Sequence, residues 1–126
     1  MDNLFRFQKF KVYKDARIFR KQIKLLTKRN FPDNEQFCLT SQLWRALDFI
    51  LLNIAEGSER YSDIDFSRFL NTALTSLNEV IACLDGALDD SYISNEEYKS
   101  FLLSGESIYK QLRAFSSKVR KDNIKN

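Results

Sequence analysis

Residues 35–58, EQFCLTSQLWRALDFILLNIAEGS, are the stretch that decides the fold of this chain. Apolar residues recur there at spacings of three and four, which is the repeat of one helical face. This stripe consists of Leu39, Leu43, Leu47, Ile50 and Ile54. A helix that is apolar nearly all round must be covered on more than one side. The side chains that point away from the stripe, and that predict contact with another subunit, are Trp44, Phe49, Leu51 and Leu52.

Three further amphipathic segments surround this helix, and Pro32 ends the first of them because proline disfavours helical geometry in the residue before it. We predict helices over about 9–29, 35–58, 63–90 and 94–121. The core stripes predicted for the first, third and fourth helices are Val12, Ala16, Phe19, Ile23 and Leu26; Phe66, Phe69, Ala73, Leu77, Val80, Leu84 and Leu88; and Phe101, Ile108, Leu112, Phe115 and Val119.

Polar residues mark the starts of these helices. Asp33 or Asn34 is the candidate N-cap of the second helix and Ser62 of the third. Ser94 and Glu97 have the spacing of a capping box before the fourth helix. Strand signals are weak, and short connections favour antiparallel neighbours, so we predict one all-α, up-down-up-down four-helix bundle over residues 1–126. In that topology the first and fourth helices are adjacent.

The composition limits the class of protein. The 126 residues include 44% hydrophobic side chains, one Pro and three Gly, which is typical of an ordered helical globule. Cys38 and Cys83 predict two unpaired, mostly buried thiols, and no His is present to complete a metal set. The start lacks the pattern of a signal peptide, and the longest apolar run, 49–52, is too short to span a bilayer. We therefore expect a soluble cytoplasmic protein.

Charge is sorted along the chain. Residues 1–30 carry a net +8 and residues 107–126 a net +5, whereas residues 31–60 carry −3 and residues 61–106 carry −7. The basic ends meet if the first and fourth helices are neighbours, which would create a cationic surface able to attract a polyanion. Residues predicted to form this nucleic-acid-binding face, roughly opposite the apolar stripes, are Lys14, Arg17, Lys21, Lys24, Lys28, Lys110, Arg113, Arg120 and Lys121. The alternative is a solvated face that keeps an oligomer soluble.

Residues for catalysis are scarce. Without His, the commonest general base and metal ligand are missing, and the three glycines are isolated at 57, 86 and 105, so no phosphate-binding loop exists. Asp63/Asp65 and Asp89/Asp90 are more simply helix-start and loop carboxylates than Mg²⁺ ligands. We therefore expect a protein that is not an enzyme, with no catalytic residues, no metal and no cofactor.

One polar constellation remains around the most apolar helix. Charges at a buried or interfacial position need partners, so Glu56 and Glu79 are the expected mates of Arg45, Arg60 or Arg68. We predict that this network fixes helix or subunit register rather than contacting a ligand. Its members are Gln42, Arg45, Asn53, Glu56, Arg60, Arg68 and Glu79.

At these residues the chain resembles the four-helix-bundle proteins encoded in intervening sequences of 23S ribosomal RNA genes. The resemblance covers roughly residues 7–120. One departure is Leu51, since the family usually has Pro there, and we expect a softer kink in the second helix. The matching stretches are Phe10-Lys11-Val12-Tyr13, Leu39-Thr40-Ser41-Gln42-Leu43-Trp44-Arg45-Ala46, Asn53-Ile54-Ala55-Glu56-Gly57 with Arg60, Arg68-Phe69-Leu70, Ser76-Leu77-Asn78-Glu79 and Tyr92-Ile93-Ser94-Asn95-Glu96-Glu97-Tyr98.

The resemblance implies a ring-like homo-oligomer, typically a pentamer, and kinship with the accessory protein of diversity-generating retroelements, a basic bundle that binds nucleic acid and its reverse transcriptase. It brings no catalytic residue set. It agrees with the spare apolar face of the second helix, which Ile18 and Leu25 of the first helix could extend. The predicted oligomer interface is Ile18, Leu25, Trp44, Phe49 and Leu52.

Together these observations predict a non-enzymatic oligomer that binds structured RNA, or nucleic acid generally, through its first and fourth helices. We expect weak sequence selectivity, because few aromatic side chains are evidently free to stack on bases. The alternative is a protein-interaction scaffold, assembling with itself or with another bacterial protein, on which the basic face is incidental. An enzyme is the third possibility. No membrane association is expected.

Overall fold

The computed structural model of the protein describes residues 4–125, with side chains described through residue 121, and these residues form four α-helices. α2 packs on α3 and α3 on α4, while α1 packs on both α2 and α4. This closed ring of neighbours confirms the predicted all-α, up-down-up-down bundle, and residues 4–125 contain no strand. The bounds are α1, Lys11–Asn30; α2, Leu39–Gly57; α3, Asp63–Asp89; and α4, Asn95–Lys125.

The core follows the predicted stripes. All five α1 stripe residues are buried, as are Leu43, Leu47, Ile50 and Ile54 of α2. In α3 and α4 most stripe positions are likewise buried, whereas Phe69, Leu88, Phe101 and Phe115 are partly exposed at the edges. The period of 3.6 residues therefore located the inward face of each helix.

The start of α2 differs from the prediction of residue 35. A 3₁₀ turn, Asp33–Glu35, is followed by a turn through Cys38, and the α-helix begins only at Leu39. Neither Asp33 nor Asn34 caps it. The Glu35 carboxylate instead accepts the Leu39 backbone N–H at 3.4 Å and the Tyr92 hydroxyl at 2.8 Å. Because Glu35 is tied to the α3–α4 turn, the chain stays non-helical here, and Cys38 is exposed rather than buried.

The other helix starts follow local chemistry. The Ser62 hydroxyl accepts the Asp65 N–H at 3.0 Å, which confirms Ser62 as the α3 cap. Ser94 and Glu97 exchange side-chain and backbone hydrogen bonds at 3.0 and 2.9 Å, which confirms the capping box. α4 continues to Lys125, beyond the predicted end near 121. α2 passes through Leu51 without interruption.

The segment before α1 is anchored by Arg6. A 3₁₀ turn, Arg6–Lys9, precedes α1, which begins at Lys11 rather than near residue 9. The Arg6 guanidinium donates to the Ser58 carbonyl at 2.6 and 3.0 Å, and it lies over the Phe66 ring. This contact fixes the segment around Arg6 against the α2–α3 junction.

Gly57 sets the spacing between α2 and α3. A Cβ at this position would lie 2.6 Å from the Cβ of Phe69, which is closer than two carbons can approach. The glycine therefore lets the end of α2 approach the start of α3. No helix within residues 4–125 is both long and apolar enough to cross a membrane.

Candidate nucleic-acid interface

Five basic residues of α1 share one helical face and are called the α1 basic stripe: Lys14, Arg17, Lys21, Lys24 and Lys28. They recur at spacings of three and four, opposite the buried stripe. All are exposed except Lys24, which is half-buried. Within residues 4–121, Lys14, Arg17 and Lys21 form no ion pair, since the acidic groups nearby are engaged by other cations. Their charge is therefore directed to solvent.

The side of α1 that faces α2 is partly neutralised. Asp48 of α2 accepts from Arg20 at 2.7 Å and lies 3.8 Å from the Lys24 ammonium. The Lys24 ammonium also lies 4.4 Å from the Trp44 ring centroid. Burial against these groups lowers the pKa of Lys24, although Asp48 opposes that effect. Lys24 thus helps join α1 to α2 as well as belonging to the stripe.

The basic residues of α4 do not form one continuous row with the α1 basic stripe. Lys110, Arg113, Arg120 and Lys121 are all exposed. The Ser116 hydroxyl contacts the Ser67 carbonyl and the Asn71 side chain of α3 at 3.4 and 3.2 Å. Because Arg113 and Arg120 lie one helical turn to either side of Ser116, they share its side of α4, toward α3.

A mostly uncharged groove separates the two sets of cations. Ile18 and Gln22 of α1 and Ser104 and Ser107 of α4 line it. The acidic side chain Asp15 also lines it, and accepts from Lys11 at 2.7 Å and from Gln111 at 2.9 Å. These two bonds, that from Lys11 foremost, lower the pKa of Asp15 and keep the carboxylate ionised.

Two cations that the sequence reasoning missed lie where α1 meets α4. Lys118 lines a separate pocket beside Lys11 at one end of this groove, and Arg29 lines another beside Lys28 at the other end. Both are exposed. Lys118 is seven residues after Gln111, which contacts α1, and Arg29 is seven residues after Gln22. Residues seven apart lie on the same face of a helix. The sequence could therefore have indicated Lys118 and Arg29, but only if one groove residue on each helix had been known.

The predicted oligomer interface divides into two kinds of residue. Ile18, Leu25, Phe49 and Leu52 are exposed large hydrophobic side chains, as the prediction requires. Trp44 is instead half-buried within the chain, since its indole N–H donates to the Thr27 hydroxyl at 3.0 Å. Leu103 of α4 is a further exposed side chain that the sequence reasoning did not single out.

The predicted polar register network consists mostly of contacts within α2 and its C-terminal end, and one contact, that of Arg60 with Phe69, reaches α3. Glu56 accepts from Arg60 at 2.8 Å, and Arg60 lies over the Phe69 ring at 4.5 Å. Asn53 donates to the Phe49 carbonyl at 2.7 Å, and Arg45 lies 5.2 Å from the Phe49 ring centroid. These pairs shape the outer face of α2 and its end.

The other network residues lie apart from this group. Arg68 pairs with Asp65 at 3.4 Å rather than with an expected glutamate. Gln42 and Glu79 are exposed. The side-chain bonds that do join different helices involve other residues, such as Gln111 to Asp15 and Arg20 to Asp48. The predicted residues therefore do not form one connected cluster, and their role in helix or subunit register stays a prediction.

The fold and this surface define a small helical bundle with one strongly basic helix face and exposed apolar side chains beside it. The family of 23S rRNA-intervening sequence proteins matches residues 8–114. The chain belongs to that family.

The fold is shared with a solved structure. It is a protein of unknown function from the S23 ribosomal protein family of Bacteroides thetaiotaomicron, with a TM-score of 0.76 and 28% sequence identity. The match covers 83% of this chain and 97% of that protein. None of the curated protein sequences compared with the chain matches it.

Proposed function

We propose that this protein is a non-enzymatic, oligomeric bundle of the cytoplasm that binds nucleic acid, with structured RNA as its preferred target, through the basic residues of α1 and α4, which lie on either side of the α1–α4 groove. The observation that carries the proposal is the α1 basic stripe. It extends over about 21 Å of helix, from Lys14 to Lys28, at about 1.5 Å per residue. Its exposed cations remain available to phosphates, and phosphate contacts supply most of non-specific affinity.

The family name suggests the RNA to test first. Its members are named for intervening sequences of 23S rRNA, so fragments of ribosomal RNA are the natural probes. The surface favours recognition of backbone and shape over sequence, because Lys and Arg side chains that contact phosphates position a nucleic acid without reading its bases.

Oligomerisation is the second part of the proposal. Ile18 and Leu25 lie two turns apart on one face of α1, and Leu52 is exposed on α2. Assembly through these side chains would bring several basic stripes into one particle. A multivalent particle gains affinity for a long polyanion without any new type of contact.

The stripe is tested by removing cations that form no ion pair within the described residues 4–121. Replacing Lys14, Arg17 and Lys21 with Gln should reduce the slope of log affinity against log salt by about three, because each lost phosphate contact lowers the slope by about one. Binding to an RNA hairpin is measured by fluorescence anisotropy between about 50 and 200 mM salt, the range over which phosphate contacts weaken strongly.

The matched control removes the same number of positive charges from surfaces outside the stripe. Arg45, Arg68 and Lys99 are exposed residues of α2, α3 and α4 that lie off the stripe, and replacing all three with Gln also removes three positive charges. We expect this control to keep nearly the parental slope. Equal losses in both variants would mean that only net charge matters, and unchanged binding by the stripe variant would refute the proposal.

A protein-interaction scaffold is the second candidate, and the exposed apolar side chains beside the stripe favour it. In that function the basic face is incidental. It predicts no mobility shift of RNA or DNA even at about 50 mM salt, where electrostatic binding is strong. Mass in solution by light scattering, with and without ribosomal RNA, separates the candidates in one measurement.

A further inference from the structure

A groove at the junction of α1 and α2 combines aromatic surface with positive charge. Its volume is about 520 Å³, and it lies at the end of the α1 basic stripe. Lys28 comes from α1, Phe37 from the turn before α2, and Thr40 and Trp44 from α2 itself. Among the residues that the structure describes, Asp33 is the one acidic residue that lines it.

Phe37 is the unusual member of this groove. Its side chain is 87% exposed, on the turn that replaces the predicted first residues of α2. An aromatic ring left in water contributes nothing to the core, so the fold gives no reason for its position. The ring is available to stack on a flat partner, contrary to the expectation that few aromatics would be free.

Trp44 provides a second, fixed aromatic wall. Its indole N–H is held by Thr27 at 3.0 Å, which fixes the orientation of the ring. The Lys24 and Lys28 ammonium groups lie 4.4 and 5.8 Å from the ring centroid. Cations at these positions are well placed to meet a phosphate attached to a base in the groove.

The turn that carries Phe37 is held in place by the α3–α4 connection, which lies at the same end of the bundle. Glu35 accepts the Tyr92 hydroxyl at 2.8 Å, and this bond ties the turn to the α3–α4 connection. The Glu35 carboxylate, which could repel phosphate, is thereby engaged by the Tyr92 hydroxyl. Phe37 thus lies between two fixed residues in the chain: Glu35 is bonded to Tyr92, and Trp44 is bonded to Thr27.

We propose that this groove binds an unpaired nucleotide of a single-stranded segment, with the base stacked on Phe37 beside Trp44 and its phosphate on Lys28. The inference rests on the proposed function and deepens it, because it specifies unpaired bases as the part of the nucleic acid that the protein recognises. Aromatic stacking tolerates any base, so the site selects single strands over duplex rather than one sequence. Asp33 disfavours phosphate at its own position and orients the backbone toward Lys28.

Trp44 allows a direct test, since it is the only tryptophan of the chain. The probes are an eight-nucleotide oligouridylate, the corresponding DNA, and a duplex RNA of equal total charge. We expect the single strands to change Trp44 fluorescence and the duplex to change it little. Phe37→Ala should weaken single-strand binding roughly 10-fold, the loss typical of one stacked base, while duplex binding by anisotropy stays unchanged.

The matched control is Tyr61→Ala. Tyr61 is fully exposed in the α2–α3 connection, so its loss removes an equally accessible ring outside the groove. We expect parental affinity for all three probes. An equal loss in the two variants would overturn the proposed site.

Two further outcomes separate this inference from the proposed function. If neither single strand nor duplex binds, both fail. If both bind and Phe37→Ala keeps the parental preference for single strands over duplex, the groove is not the site. The α1 basic stripe then remains the proposed binding surface without it. Trp44 fluorescence is also measured on dilution without nucleic acid. A change on dilution that is absent from Phe37→Ala would assign the groove to a second copy of this chain and overturn the inference.

Discussion

Trp44 shows what a single residue's position in the sequence can and cannot indicate. Its angle on α2 correctly places it off the core stripe, and the prediction assigns it to a subunit contact. The structure instead covers the ring with Lys24 and Lys28 of α1. Lysine side chains extend their alkyl chains over neighbouring apolar surface while the charge stays in water. Helical periodicity gives the direction of each side chain but not which surface of a neighbouring helix it covers.

Gly57 and Gly86 allow a prediction at the residue scale, because both lie within helices but in different surroundings. Gly57→Ala should lower the free energy of unfolding by about 1–3 kcal/mol, since the added carbon would overlap Phe69. Gly86→Ala should raise it by about 0.5–1 kcal/mol, because nothing lies within 4 Å and alanine favours helix. Urea unfolding monitored by circular dichroism measures both. Effects of the same sign would contradict the packing described at Gly57.

At the scale of elements, the sequence predicted four helices, their inward faces and two of their caps, because these depend on residues within about one turn of each other. The start of α2 was wrong by four residues. There the decisive bond joins Glu35 to Tyr92, which are 57 residues apart. A contact between elements that distant in the chain is not visible in local patterns.

Two tyrosines that join elements predict how stability depends on pH. Tyr92 donates to Glu35 and Tyr98 donates to Asp85, and these hydrogen bonds are the main reason that both pKa values lie above the usual 10.0. A raised pKa in the folded state favours the protonated phenol. The resulting stabilisation is complete below about pH 10 and is lost as the pH rises through the folded-state pKa values.

The Tyr92→Phe, Tyr98→Phe double variant isolates that effect, since the remaining tyrosines titrate in both proteins. We expect the parental chain to be the more stable below about pH 10 and to lose that advantage at higher pH. Urea midpoints from pH 8 to 11.5 provide the comparison. A stability difference that does not change across this range would show that the two hydrogen bonds do not contribute to the pH dependence.

For the whole molecule, the sorting of charge along the sequence predicted which helix carries the positive surface but not how that surface is divided. The α1 basic stripe lies where its spacing requires. Arg113 and Arg120 turn toward α3 because Ser116 contacts that helix, and Lys118 and Arg29 meet the α1–α4 groove instead. The side of a helix that faces each neighbour depends on the packing of the bundle. A count of charges along the chain carries no information about that packing.

Assembly is the prediction that belongs to the whole molecule. Replacing Ile18 and Leu25 with Gln should shift the particle toward a monomer in light scattering. Burial of one such side chain contributes about 1.5–3 kcal/mol, so losing two from each subunit weakens an interface at least 100-fold. The fold should persist, since both side chains are exposed in the single chain. The matched control replaces Tyr61 and Ile64, exposed residues at the α2–α3 junction, and should keep the parental mass.

The same variant tests whether assembly strengthens RNA binding. Ile18→Gln and Leu25→Gln leave every cation of the α1 basic stripe in place, so affinity per stripe for a short hairpin should not change. Affinity for a long ribosomal RNA fragment should fall by 10-fold or more, because a monomer loses the gain in effective concentration that several linked stripes provide. Parental mass would exclude this face as the interface. Parental affinity for the long RNA in a particle of reduced mass would mean that each subunit binds independently.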